Sequence, residues 1–376
     1  MPRHFGNLLF ALALLGSSAA FGQGAPLPWG QRSDMLAWET FVQIVAPAGD
    51  QQNTNVEFET WASDEDIYAA SPHWPSVGTA KQLQVSALGT VRHGVVVRPQ
   101  IIAPSQCTQD YDKQVAQAAG FPADGCIGEE VRRNWATFQY IVSNKLYSRA
   151  GLAAAFQKGL KVDLPADAIE FKGDWVRVAD VMKWLNLTEK QVDDLYYTNT
   201  ATAGKTTTKF ALVSFHFSTK QIKDWVWADF EHQKNPGRCD DIGCHDSFGA
   251  TVPDVPPTTP LWQQYGECQK TAAVAAMFTN AGINPVWKNY CLKGSQITFV
   301  NSGTPTLLGN SVIEAINAGV PIAKSSCITC HAYASFDKAG DGNGAAAGAN
   351  YTGNVDQTKL QGWATNDFLW GVLFAR

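Results

Sequence analysis

Two spacings of apolar residues run along the chain, and each predicts its own kind of element. Thr208–Ser218 is rich in β-formers, with Phe210, Val213, Phe215 and Phe217, and Asp224–His232 reads Asp-Trp-Val-Trp-Ala-Asp-Phe-Glu-His. The short Ser-Thr-Lys-Gln-Ile-Lys link between them predicts a hairpin. Alternation sets His216 on one face with Leu212 and Ser214, and His232 on one face with Phe230, Ala228 and Val226. Val56–Trp61 alternates as a strand should, and Gly94–Val97 is a short β-branched run. Helical spacing runs through Glu129–Leu152, where Val131, Trp135, Phe138, Ile141 and Val142 recur every three or four residues. Arg132 and Arg133 sit off that stripe. Asp180–Leu187 and Thr188–Leu195 predict short helices, the second with Thr188 as N-cap. Thr251–Pro260 carries Pro253, Pro256, Pro257 and Pro260 and predicts an extended connector. Beyond it, Gln269–Thr279 and Asn310–Ala318 predict helices, the latter stopped by Gly319 and Pro321. Ala339–Asn350 reads as a Gly/Ala/Asn loop and Asn366–Arg376 as a final amphipathic segment. No repeat of fixed period is present. The mixture predicts an α+β protein: strands and helices over residues 23–250, a connector over 251–260, and a mainly helical region over 261–376.

The N-terminus changes how the rest is read. Arg3 and His4 precede an apolar run from Leu8 to Leu15, and small residues follow through Ser17, Ser18, Ala19 and Ala20. Such a run is about half the length a bilayer span needs, so residues 1–22 predict a secretory signal cleaved near Gly22. Export to an oxidising periplasm would follow, with no stable membrane insertion. The composition is 45% hydrophobic and 17% charged, which supports a sizeable core and excludes a disordered chain. The net charge of −5 argues against a nucleic-acid partner and favours a basic docking partner. In an oxidising compartment the eight cysteines should be bridged or otherwise bound. Neighbour pairing (Cys107–Cys126, Cys239–Cys244, Cys268–Cys291) is the simplest of the arrangements open to six of them.

The remaining two carry the main chemical signal. Ser325-Ser326-Cys327-Ile328-Thr329-Cys330-His331 is a Cys-x-x-Cys-His site. Two residues between the thiols let one helical turn present both sulfurs to the vinyl groups of a haem, and the next imidazole continues that turn to the iron. Zinc would need two further soft ligands, and a thioredoxin-like pair would need a strand before it and a helix after it, where Gly-rich sequence stands here. The motif resembles that of c-type cytochromes over about the last 70 residues. The whole chain resembles large periplasmic cytochrome c family proteins with one late haem motif. Trp225-Val226-Trp227-Ala228-Asp229-Phe230-Glu231-His232 and Leu308-Gly309-Asn310-Ser311-Val312-Ile313-Glu314 carry that wider likeness. The resemblance implies one covalent haem c on Cys327 and Cys330, with His331 as proximal ligand, in a cytochrome c-like, mainly helical C-terminal segment.

The sequence departs from small soluble cytochromes c in one respect: no methionine follows Met277. The sixth ligand must come from upstream or be absent. His232 and His216 are the leading candidates, with Met277 behind them. Cys239-Asp240-Asp241-Ile242-Gly243-Cys244-His245 has a longer spacing that can bind a second haem, although a local disulfide is the favoured reading. The expected function is electron transfer with a periplasmic redox partner. The alternatives are a peroxidase-like or small-molecule haem oxidoreductase, or a haem-based sensor, with an open sixth position and His232, His216, Arg132 or Arg133 on the distal side. Ala203-Gly204-Lys205-Thr206 lacks the first glycine of a P-loop, and Asp341-Gly342-Asn343-Gly344 lacks the ligands of a calcium loop.

Overall fold

The computed structural model describes residues 29–49, 55–75, 91–92, 95–96, 111–203, 205–258, 261–343 and 351–375. The expected signal, His93 and Cys107 lie outside them, as do Gly94 and Val97 of the short β-branched run and most of the Ala339–Asn350 loop. Seven strands form one antiparallel sheet: β1 (Ala62–Ser63), β2 (Ile127–Arg133), β3 (Ile169–Arg177), β4 (Thr198–Ala203), β5 (Thr206–Thr219), β6 (Val226–His232) and β7 (Tyr290–Gln296). The order is β1-β2-β3-β5-β6-β7, with β4 hydrogen-bonded to β5 beyond the main ladder. The β5–β6 hairpin is the one the alternation predicts, and its register sets Phe215 opposite Phe230 and His216 opposite Asp229.

The mainly helical C-terminal segment is not what the chain forms. Tyr290–Gln296, beyond the Pro-rich stretch, is a strand of the central sheet, antiparallel to β6. The helix holding Cys327 spans only Cys327–Ala332, and the final amphipathic segment forms a single 3-10 helix, Trp370–Phe374. The physical reason is packing: the C-terminal residues lie across a sheet face and follow its side chains, which short turns do better than long helices. Asn310–Ala318 does form a helix, but a π-helix over Ser311–Asn317, with wide bonds such as Ala315 N–H to Asn310 C=O. Asn310 caps it, and its neighbour Gly319 leaves it at φ 66°.

Two other expectations are revised. Glu129–Leu152 is a strand and two helices, Trp135–Ser143 and Arg149–Gln157. Asn134 Oδ1 accepts the Thr137 N–H and starts the first of these, so the residues before it are free to pair as β2. Val56–Trp61 is a 3-10 turn, because the Glu59 carboxylate captures the Val56 N–H. The short helices Val178–Leu185 and Glu189–Leu195 form as expected, the second with Thr188 and Gln191 closing a capping box. Ala272–Asn280 is the Ala-rich helix, capped by Thr271.

The sheet has two unlike faces. One is packed with Phe171, Phe215, Phe217, Phe230 and Ala228, covered by Trp38 and Phe41 of the helix Trp29–Val45 and by Phe278 and Trp287. A register shift between Asp174 and Trp175 carries Leu212 onto this aromatic side, away from Ser214 and His216. The other face displays Glu129 and Arg133 of β2, Glu170, Lys172 and Asp174 of β3, Ser214 and His216 of β5, and Asp229 and Glu231 of β6. It is also covered. The π-helix and its flanks seal it, with Asn310 bonded to Asp229, Ser311 to Glu231 and Asn317 to Asp174.

Candidate functional site

Cys327, Cys330 and His331 lie against the polar face of the sheet. Gln296, at the end of β7, fixes their helix: its Oε1 accepts the Ile328 N–H at 3.0 Å and its Nε2 donates to Ser326 Oγ at 2.7 Å. Thr329 Oγ1 donates to the Gly353 carbonyl. The three motif residues line one cleft with His216, Glu314, Lys172, Arg133 and Trp370. Gly371 completes the wall; a side chain there would collide with the Tyr68 hydroxyl and the Arg133 guanidinium.

Cys327 and Cys330 are free thiols, whereas Cys239–Cys244 and Cys268–Cys291 are disulfides and Cys126 is disulfide-bonded as well. The two visible pairs are the neighbour pairs expected. The Cys239–Cys244 bridge consumes both sulfurs that a second haem would need, and His245 is turned to Asp254, with Nδ1 2.9 Å from its carboxylate. Burial pushes the Cys330 thiol up to about 11, and Cys327 well above the ordinary thiol range. Both are therefore protonated at neutral pH in the bare chain.

His331 Nδ1 lies 2.9 Å from the Phe368 carbonyl, which selects the tautomer with the proton on Nδ1 and leaves Nε2 without a partner among the described residues. Two consecutive left-handed residues, Asp367 (φ 45°) and Phe368 (φ 70°), turn that carbonyl toward the ring. Such angles are unusual for residues other than glycine and cost on the order of 1–3 kcal/mol each. Asp367 is held from several sides: Lys220 Nζ at 2.7 Å, the Leu164 N–H at 2.6 Å and the Trp225 indole at 3.3 Å. Burial lowers His331 to about 3, so its ring is neutral. Trp227 packs beside it with centroids 4.6 Å apart.

His216 faces His331 across the cleft, with ring centroids 6.3 Å apart and planes at 83°. Its Nδ1 is buried without a hydrogen bond, 3.9 Å from Glu314 Oε1. Burial first, then the Lys172 charge, holds it well below the ordinary imidazole range. His232 is elsewhere. It sits opposite Tyr290 in the β6–β7 ladder and stacks on Tyr196. Nε2 lies 3.0 Å from the Leu195 carbonyl, and Nδ1 accepts the Lys234 N–H at 3.2 Å, so both nitrogens are committed. Met277 packs against the aromatic core. Of the two arginines, Arg132 is bound to Glu130 and the Trp61 carbonyl, while Arg133 reaches the cleft but pairs with Asp64 and Glu170.

Around these residues the carboxyls Glu129, Asp174, Asp229, Glu231 and Glu314 meet, among the described residues, two ammonium groups, Lys172 and Lys293. Desolvation pushes Asp174 and Asp229 well up from the ordinary carboxyl range, and each has one oxygen without a partner. Lys172 stays charged beside Glu129, 2.7 Å away. Sequence reasoning reached the motif and His216 but missed Gln296, Glu314, Phe368 and Asp367. The only signal for Glu314 was its place in the stretch before the cysteines. His216, Glu314 and Cys327 bring one donor atom each within 4.8 Å of one another.

No protein-family model matches the chain, and the searches of curated proteins and of solved structures found no match either.

Proposed function

We propose that the chain is an exported c-type cytochrome that carries one haem on Cys327 and Cys330 and transfers electrons to a periplasmic partner. The single observation that carries this is the pair of unbridged thiols, in a Cys-x-x-Cys-His helix, between two neutral imidazoles. Two further facts support it. His216 and His331 face each other across the cleft with ring centroids 6.3 Å apart, near enough that both could hold one iron. His331 also shows the arrangement of a ligating histidine, one nitrogen pinned by a carbonyl and the other free.

Bound there, haem would supply one-electron cycling between ferric and ferrous iron. Cys327 and Cys330 would hold it by thioether links, each S–H adding across a vinyl group so that sulfur bonds one carbon and the hydrogen goes to the other. His331 and His216 would hold the iron, and Phe368 keeps the His331 proton on Nδ1. With a second imidazole, His216, available to the iron, electron transfer would be favoured over the peroxidase-like and sensor alternatives. The acidic net charge of −5 favours a basic docking partner. No helix among the described residues is long and apolar enough to cross a membrane.

Pyridine haemochrome quantitation with intact mass, on protein made with c-type maturation machinery, tests the reading. One haem per chain is expected, lost in Cys327→Ser/Cys330→Ser; colourless wild-type protein with the mass of bare polypeptide overturns it. His216→Ala should convert a low-spin spectrum to a high-spin one that responds to carbon monoxide, while His232→Ala leaves it unchanged. A second reading is favoured by the His216, Glu314 and Cys327 cluster: a single metal ion without porphyrin. Thiolate and imidazole donors suit zinc or copper. Elemental analysis finding zinc or copper in place of iron would select it.

A further inference from the structure

A second cleft lies away from the cysteine–histidine site, walled by Arg238, Lys270, Tyr265, Thr251 and Gln269. It opens between the two disulfides, with Cys244 on one side and Cys268 on the other. Two cations are drawn into its wall. Arg238 is buried, and its guanidinium spends its donors on weak acceptors: Nη1 reaches Cys239 Sγ at 3.4 Å and Cys244 Sγ at 3.5 Å, and Nη2 reaches the Gly266 carbonyl at 3.3 Å. Its Nε has no acceptor. Lys270 Nζ donates to Cys268 Sγ at 2.8 Å and to the Cys268 carbonyl at 2.9 Å. Its ammonium lies 5.4 Å from the centre of the Trp38 ring.

Among the described residues no carboxylate pairs with either cation. Asp246 is the buried carboxyl of the same wall, but its oxygens are taken by the Trp38 indole and by the Gly249 and Phe248 N–H groups. Glu267 stands exposed on the rim. Withdrawing a cation from water without a counter-charge costs several kcal/mol, so a fold that keeps two together on one open cleft is short of negative charge there. Burial lowers Lys270 to about 7, with the nearby Asp246 charge opposing the shift and the Arg238 charge adding to it.

We propose that this cleft binds a small oxyanion, a carboxylate or a phosphate- or sulfate-type group, seated between Arg238 and Lys270. A guanidinium fork suits two oxygens of such a group, and the ammonium supplies a point charge beside it. The site is independent of the haem reading, since none of its residues lines the other cleft.

Isothermal titration of the full chain with phosphate, sulfate and citrate, against chloride at matched ionic strength and slightly below neutral pH, tests it. Saturable binding of one equivalent of at least one oxyanion is expected, and the arm that responds identifies the class. Lys270→Met should weaken that binding by about fivefold or more, and Lys270→Arg should retain it to within about fivefold. Thermal melting reports whether each variant is folded. Arg238→Lys, which keeps the charge but loses the fork, should weaken binding by a similar factor and serves where the methionine variant fails to fold. No oxyanion binding beyond chloride, or a folded variant, Lys270→Met or Arg238→Lys, that binds within about fivefold of wild type, overturns the assignment.

Discussion

The two faces of the central sheet are built from the same strands and solve opposite problems. On one face Phe171, Phe215, Phe217 and Phe230 interlock with Trp38, Phe41 and Trp287, and stability there comes from excluded water and close packing. On the other, Glu129, Asp174, His216, Asp229 and Glu231 are buried too, with Lys172 half-buried beside them, yet they must be matched by hydrogen bonds and by retained protons. Chains seldom bury so many ionisable groups for stability alone, since apolar replacements of similar volume are often as good. The difference teaches where the chain holds its chemistry: the aromatic face is the scaffold, and the polar face is the wall of the cysteine–histidine cleft.

The largest expected effect lies on the scaffold. Phe230→Ala should destabilise by about 3–5 kcal/mol in urea or thermal melts, because Phe230 contacts Trp38, Phe41, Phe215 and Phe217 and leaves a cavity behind. A loss below about 1 kcal/mol would break the contrast. A smaller effect is expected at Glu59, an acid at the edge of the aromatic side that accepts from Tyr197 and Asn199. Desolvation lifts its pKa to about 7 from the ordinary 4.5. The stability due to its protonated form is present below the unfolded value and lost as pH rises through about 7. Glu59→Gln should match wild type near pH 4 and exceed it by about 3 kcal/mol near pH 8. Equal pH profiles would show that the carboxyl is not held neutral.

The smallest effect is expected on the polar face. If Asp174 keeps its proton, Asp174→Asn is nearly isosteric and should change stability by less than about 1 kcal/mol near pH 5. Its raised value means that wild type, but not the variant, loses stability as pH rises through it, so the variant should gain on wild type toward alkaline pH. A loss of about 3 kcal/mol or more would mean that an ionised Asp174 is paired there.

Much of this was legible in the order of residues, and the exceptions have physical causes. Alternation in Thr208–Ser218 and Asp224–His232 was enough for the hairpin, and the thiol and imidazole spacing was enough for the motif. Alternation could not say that His216 and His232 lie on opposite faces. That needs the register, Phe215 against Phe230, which depends on how the hairpin closes. Residues 129–133 read Glu-Glu-Val-Arg-Arg, one apolar residue among four charged ones, which marks neither a helical nor a strand period, and tertiary pairing with β3 decides for the strand. Phe368 acts through its carbonyl and Gln296 through a distant backbone amide, and neither leaves a mark in composition or spacing. The pairing of Arg238 and Lys270 on one cleft is likewise invisible until the fold brings their segments together.

The pair of left-handed residues at Asp367 and Phe368 has a consequence for shortened forms of the chain. A protein cut after Thr365 would keep the whole cysteine–histidine motif while losing the acceptor that decides which imidazole nitrogen carries hydrogen. The ring could then swivel and present either nitrogen to an incoming metal. Residues 366–375 thus act as a clasp on the far side of the histidine, and an affinity tag or cleavage site placed there would disturb a centre that looks, along the sequence, to be safely more than thirty residues away.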